Sequence, residues 1–138
     1  MAQVEIRNAL ETRLAAFATS KSIKVLWEND VSEPLAESHM RVRLFPSGTQ
    51  NPSLGAYHRR YKGIFQVQCW IDSLNLGPAD VEAFAEELVA YFPRGLELIK
   101  NGVSVHIENT PSQSGISPES NHSVVTVEMI YRADVITI

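Results

Sequence analysis

Tyr61-Lys62-Gly63-Ile64-Phe65-Gln66-Val67-Gln68-Cys69-Trp70-Ile71-Asp72 alternates with a period of two. Phe65, Val67, Cys69 and Ile71 fall on one face, and Gln66 and Gln68 on the other, as in a strand with one side buried. After a short turn, Gly77-Pro78 opens a different period. Val81, Phe84, Ala85, Leu88, Val89 and Phe92 recur at the spacing of one helix face, with Phe84 expected at the centre of the buried stripe. Pro78 suits the first helical position, where its missing N–H costs nothing, and Pro93 cannot continue the helix. Asp80, Glu82, Glu86 and Glu87 lie outward, mostly near the N-terminus, where the helix dipole favours negative charge. A long strand followed by a helix that lies across it makes a two-layer core. The other segments have to pack around that pair.

Towards the N-terminus, Ile6, Ala9, Leu10, Leu14 and Phe17 form a second helical stripe, opposite Glu5, Asn8, Glu11 and Thr12. Ile23, Val25 and Trp27 alternate with Lys24 and Leu26 as a short strand. Residues Glu28 to His39 hold Pro34 and several acidic side chains and read as a loop. Met40, Val42 and Leu44 alternate with Arg41 and Arg43 in a strand that Pro46 ends. The stretch from Ser47 to Arg60 has no apolar period. A loop of that length is usually mobile, functional or both.

Beyond the central helix, Leu96 and Leu98 precede Asn101-Gly102, and Val103, Val105 and Ile107 follow. Asn-Gly between alternating runs is a strong hairpin signal. Thr110 to Asn121 reads as another polar loop. The last run, His122 to Ile138, puts Val125, Val127, Met129 and Tyr131 on one face and Val124, Thr126, Glu128 and Ile130 on the other. Strands joined without helical crossovers are expected to be antiparallel. The prediction is therefore an α+β fold, a mostly antiparallel sheet of about five or six strands with two helices packed on it. Residues 1–138 are expected to form a single domain, with long polar loops at about 46–60 and 110–121.

Composition agrees with that picture. A chain of 138 residues is long enough to bury a core without disulfides or metals. Its apolar share of 44% and charged share of 20% are ordinary for a soluble globular protein. Twelve basic against sixteen acidic residues leave a net charge of −4, which argues against general affinity for nucleic acid. Cys69 is the single cysteine, so no internal disulfide is available. The first residues lack the basic and apolar blocks of a signal peptide, and no apolar run approaches the length of a membrane span. A cytosolic origin is expected.

Catalytic patterns are not found. His39, His58, His106 and His122 show neither H-x-x-x-H nor H-E-x-x-H spacing, so they read as surface or loop-end histidines and no metal is expected. Cys69 falls on the buried face of its strand, the setting of a core thiol and not of a nucleophile. No serine lies in a G-x-S-x-G elbow, and the glycines from Gly48 to Gly55 lack the Gly-Lys-Ser/Thr ending of a phosphate loop. The acidic pair Glu86-Glu87 reads as solvated helix surface.

One cluster stands apart. His58, Arg59, Arg60, Tyr61 and Lys62 place three fixed positive charges around an aromatic where the long loop meets the central strand. Three readings stay open: solvated charge, contact with phosphates or a base, and a subunit contact with a neighbour's acidic loop, from Glu28-Asn29-Asp30 to Glu33 and Glu37.

The order of several motifs adds a family. Ile6-Arg7-Asn8-Ala9-Leu10-Glu11-Thr12-Arg13-Leu14 is followed by Trp27-Glu28-Asn29, Arg41-Val42-Arg43-Leu44-Phe45-Pro46, Ser53-Leu54-Gly55, Gly63-Ile64-Phe65-Gln66-Val67 and the helix from Gly77. Over roughly residues 5 to 95 this order resembles the small proteins of tailed bacteriophages and prophages that include tail terminator (tail completion, minor tail) proteins. The resemblance implies an α+β subunit that forms a ring, with six members, on the head-proximal end of the tail tube. Such a ring stops tube polymerisation and meets the head connector. The implied partners are further copies of the chain, the tail-tube protein and the head–tail connector protein. The implied location is the virion tail, and the host bacterial cytoplasm during assembly. Neither enzyme activity nor a cofactor is implied, and no functional residue carries over individually. The assembly contacts are expected near His58 to Lys62. The alternative is a small nucleic-acid-binding or enzymatic domain that uses the same cluster; specific nucleic-acid binding is not the expectation.

Overall fold

A computed structural model describes residues 3–28, 37–52, 58–72, 77–119 and 121–136. The chain runs α1 (Gln3–Lys21), β1 (Lys24–Leu26), β2 (His39–Pro46), β3 (His58–Asp72), α2 (Pro78–Tyr91), β4 (Glu97–Lys100), β5 (Val103–Ile107), β6 (Ser112–Gln113), β7 (Ser117–Glu119) and β8 (His122–Ile136). The α+β reading and its two helices hold.

β3 and β8 are the axis. They pair antiparallel along their whole length, from His58 opposite Ile136 to Asp72 opposite His122. Period-two alternation puts Phe65, Val67, Cys69 and Ile71 of β3, with Val125, Val127, Met129 and Tyr131 of β8, on one buried face. The helices lie on that face, and their stripes join the strand side chains in one hydrophobic cluster. The ring of Phe17 on α1 sits 5.6 Å from Phe84 and 5.3 Å from Tyr91 of α2. Arg13 ties the two helices further, with its guanidinium 4.0 Å from the centre of the Tyr91 ring and Nη2 donating to the Tyr91 carbonyl at 2.8 Å. At the start of α2, the Asp80 carboxylate accepts from the Gly77 N–H at 3.1 Å, holding one of the donors that the first helical turn leaves open.

The sheet is larger and less regular than predicted. Among the described residues it has eight strands, ordered β1-β2-β3-β8-β5-β4, with β6 and β7 also on β8. β1 pairs with β2 in parallel, against the mostly antiparallel expectation. The reason is length: the connection from residue 27 to residue 38 reaches the dozen or so residues that a parallel crossover needs. The predicted loop at 110–121 contains β6 and β7. β8 outruns β5, and after Glu108 N–H donates to the Ile130 carbonyl the chain keeps following the same edge through both short strands. Their side chains are mostly exposed on both faces, so no apolar alternation marks them, and Pro118 is tolerated because β7 is an edge. The loop predicted at 46–60 is shorter too, since β3 begins at His58 and Gln50 bridges to Arg60. Within that loop the Ser53-Leu54-Gly55 motif lies outside the described residues, as do the turn at 73–76 and the acidic residues from Asn29 to Glu33.

Two packing details have consequences. Asn101 (φ 49°) and Gly102 (φ 81°) both take left-handed backbone in the two-residue turn between β4 and β5, which is what an Asn-Gly hairpin requires. Gly63 lies opposite Tyr131 and Pro46, with the Tyr131 ring across it. A methyl group there would sit 2.5 Å from the Phe45 carbonyl oxygen and collide with the Tyr131 hydroxyl. Gly63→Ala should therefore destabilise by ~1–3 kcal/mol, because backbone has to move. A denaturation midpoint equal to that of the unchanged chain would contradict this close approach.

The buried centre of α2 also differs from expectation. Val81, Ala85 and Leu88 are buried, while Phe84 is only half-buried beside Phe17 at the helix–helix seam. Leu88→Ala should accordingly cost ~2–5 kcal/mol, and Glu86→Ala on the exposed face should stay within about 0.5 kcal/mol. Equal urea midpoints for the two variants would show the helix face to be assigned wrongly.

Candidate assembly surface

The basic cluster occupies the first residues of β3, and alternation divides it. Arg59 and Tyr61 point to the helix side, where Arg59 is exposed and Tyr61 packs against the rim of the core. His58, Arg60 and Lys62 point to the opposite, outer face. Register brings β8 and β5 alongside: Arg60 is opposite Asp134, and Lys62 is opposite Arg132, which in turn is opposite His106.

The result is an ion-pair network. His58 Nε2 lies 3.0 Å from Asp134 Oδ1, and Arg60 Nε donates to the same oxygen at 2.8 Å. Arg132 Nε lies 3.2 Å from the other oxygen, Oδ2. Glu108 accommodates the next row, 3.9 Å from Lys62 Nζ and 3.7 Å from Arg132 Nη1. Partial burial opposes ionisation of Asp134, but the hydrogen bonds from Arg60 and His58 and the charges of Arg60 and Arg132 outweigh it. Its carboxyl is held below the usual range. Three of the five cluster residues thus have carboxylate neighbours, which the local sequence does not reveal because Glu108 and Asp134 come from distant segments. Arg59 stays open to solvent.

The acidic loop proposed as the cluster's counterpart divides as well. Glu28 serves its own subunit: it accepts from the Leu44 N–H at 2.9 Å and from Arg7 at 3.1 Å. The main-chain bond from Leu44, joined by Arg7 and Arg43, lowers its carboxyl pKa against the effect of burial. The residues from Asn29 to Glu33 lie outside the described part of the chain, and Glu37 is exposed.

The other end of the outer face holds what sequence reasoning missed. His39 and His122 stand at loop ends, as the first residues of β2 and β8, but His39 is fully buried and His122 nearly so, not at the surface. The His39 ring stacks on Trp70 at 5.7 Å, His122 meets both rings edge-on, and the Arg41 guanidinium lies 4.3 Å from the centre of the Trp70 ring. Arg41 Nε donates to His39 Nε2 at 3.3 Å, so His39 Nδ1–H donates to the Glu37 carbonyl at 2.9 Å. Burial lowers the His39 pKa; the Glu37 carbonyl opposes this, while Arg41 and His122 reinforce it. His39 is held neutral, as a strut. The only available signal was the phase of Trp70 in its strand, and it needed the register of β2 and β8 to become readable. The remaining histidines are half-buried, His58 at Asp134 and His106 3.5 Å from Glu97.

No three of the described His, Cys, Asp and Glu side chains gather as a metal-binding group. Cys69 is completely enclosed, and burial pushes its thiol up to about 12, far from the range of a reactive thiolate. Among the described residues, no helix is long and apolar enough to cross a membrane.

The chain belongs to the phage tail terminator protein family, whose family model matches residues 5–131. It is therefore a structural protein of the phage tail. A solved structure with 28% sequence identity superposes with a TM-score of 0.79, covering 96% of each chain. No curated protein matches the chain.

The network predicts a pH dependence. Asp134 has a folded pKa below its unfolded value of about 3.9, so its contribution is fully present above that value and is lost as pH falls through the folded one. Asp134→Asn should cost ~1 kcal/mol at neutral pH, the scale of a partly exposed ion pair. It should also flatten the loss of stability below about pH 4. An unchanged acid limb in the variant would remove Asp134 from the account.

Proposed function

We propose that this chain terminates the tail tube: copies form a ring, with six members, on the head-proximal end, stop tube polymerisation and present a surface to the head connector. The observation that carries this reading is the family match across nearly the whole chain. The role needs no enzyme chemistry and no cofactor. Its partners are further copies of the chain, the tail-tube protein and the head–tail connector protein, assembled in the host bacterial cytoplasm. The exposed Arg59, with Tyr61 beside it, is the part of the cluster left for an assembly contact, since His58, Arg60 and Lys62 already neighbour Asp134 and Glu108. Those internal carboxylates weigh against the nucleic-acid reading, which needs unpaired positive charge.

A buried core that forms without a partner favours an isolated monomer at micromolar concentration. The tube end then raises the effective concentration of subunits and drives ring closure. A phage deficient in this protein should make tails of uncontrolled length, and the unchanged chain supplied in trans should restore their length. Arg59→Glu should keep the denaturation midpoint within about 0.5 kcal/mol and fail to restore it. Normal tails in electron micrographs of the deficient phage would overturn the terminator role; full rescue by Arg59→Glu would exclude only this residue from the contact.

A further inference from the structure

Along the path β1-β2-β3-β8-β5-β4 the sheet ends on β1 at one side and on β4 at the other. The register fixes which main-chain groups point off each edge. Ile107 N–H donates to the Leu96 carbonyl, so Leu98 with Val105 and Lys100 with Val103 are the bonded pairs of the β4–β5 hairpin. Glu97 and Ile99 therefore aim their N–H and C=O away from β5. On the other side, Ser47 N–H donates to the Lys62 carbonyl, which makes the odd-numbered residues of β2 the ones bonded to β3. Met40 and Leu44 face the β1 side instead, where Leu44 N–H meets Glu28. In the parallel pairing Met40 is opposite Val25 and bonds to Lys24 and Leu26, so Val25 points its own N–H and C=O off the edge. No described residue bonds to these groups of Val25, Glu97 or Ile99. An edge of that kind is a template for another strand.

The side chains of the two edges match. Alternation puts Lys24 and Leu26 on the outer face and Val25 on the helix side. It puts Glu97 and Ile99 on the outer face and Leu98 on the helix side. Ile99 is 66% exposed, more than any other large apolar side chain among the described residues. Lys24 is exposed and makes no ion pair with a described residue. Glu97 is about half-exposed, with His106 3.5 Å away. On the helix side, a groove of about 320 Å³ lined by Ala9, Thr12, Ala16 and Tyr91 runs beside β4, so α1 leaves room for a strand to approach. Of the cations at that groove, Arg13 is held by the Tyr91 carbonyl, and Lys100 lies on the opposite face from Glu97. The remaining edges are poorer templates, since β6 has two residues and β7 contains Pro118.

We propose that β4 of one copy pairs with β1 of the next, so that the sheet continues from subunit to subunit. Val25 N–H then donates to the Glu97 carbonyl, and Ile99 N–H donates to the Val25 carbonyl. That bonding sets Lys24 beside Glu97, Val25 beside Leu98 and Leu26 beside Ile99. Opposite charges meet at the first position and apolar side chains at the other two. β1 and β4 run in the same direction, because one parallel and four antiparallel steps lie between them. The joint is therefore parallel, and a rotation about the strand direction relates neighbours, with all helices kept on one side of the continued sheet. A contact between two different edges is head-to-tail and closes into a ring when the rotation between neighbours allows. This inference deepens the ring reading above and rests on it for closure.

Disulfide capture tests the joint with the whole chain. One preparation carries Lys24→Cys and the other Glu97→Cys; both side chains are exposed, and buried Cys69 takes no part. In an oxidised mixture the mixed dimer should exceed either homodimer by roughly tenfold. In the Glu97→Cys chain, Ile99→Pro removes the N–H offered to Val25 and leaves the β4–β5 ladder whole, so it should abolish the excess. Ile99→Asp keeps that N–H but sets a charge beside Leu26, and should reduce the excess as well. An excess that survives both changes would overturn the proposal, as would purely statistical pairing. Homodimers of the Glu97→Cys chain at equal or higher yield would show β4 meeting β4 across a two-fold axis, and would overturn it too. The doubly substituted chain, Lys24→Cys with Glu97→Cys, added to tail tubes, separates the two readings. Rings on the tube without cross-linked ladders sink this contact alone. Absence of rings sinks the ring reading, while the mixed-dimer yield still decides the contact.

Discussion

The register between β3 and β8 is the constraint on which the rest depends. Two 15-residue strands pair along their full length. A slip of β8 by one residue would turn Val127 and Met129 to water and bring Glu128 under the helices, while Phe65 and Val67 stayed inside. The helix stripes, built of Leu10, Leu14, Ala85 and Leu88, have only one surface to bury against, and that surface exists in one register alone. The smaller strands then attach as edges: β2 on β3, and β5, β6 and β7 in turn on β8.

A ribbon this long outreaches the helices, and its ends solve the same problem differently. At the His58–Lys62 end the outer face is wet, and charges pair with Asp134 and Glu108. At the Trp70 end it is dry: His39 and His122 are enclosed, and a neutral imidazole satisfied by Arg41 and the Glu37 carbonyl replaces an ion pair. Burying a charge costs far more than burying a hydrogen-bonded neutral ring, so each end has the chemistry its exposure permits. Between them Phe45, Ile64 and Ile130 stand side by side on that face, and Ile99 and Ile136 are exposed on it as well.

For a tail terminator this division is useful. The inner face supplies stability through one continuous apolar cluster. The outer face holds rows of opposite charge already partly paired, which limits its attraction for unrelated polyanions.

The two helices, the long strands, the Asn-Gly hairpin and the buried thiol were all legible in the chain, because a period of two or of 3.6 and a left-handed turn are local properties. The basic cluster was legible as composition only. Whether Arg60 is a free charge depends on Asp134, far away in sequence, and the pair exists because β3 and β8 share a register. The parallel pairing of β1 with β2 left no periodic signal, nor did the short strands β6 and β7, since main-chain hydrogen bonds along an exposed edge ask nothing of the side chains. His39, Trp70 and His122 likewise became one cluster only when three strands met. By itself the sequence determined what each segment would be and which face it would bury. The tertiary structure alone decided which charges are spent inside the subunit and which apolar residues are left uncovered, because both depend on distances between segments that no local pattern records.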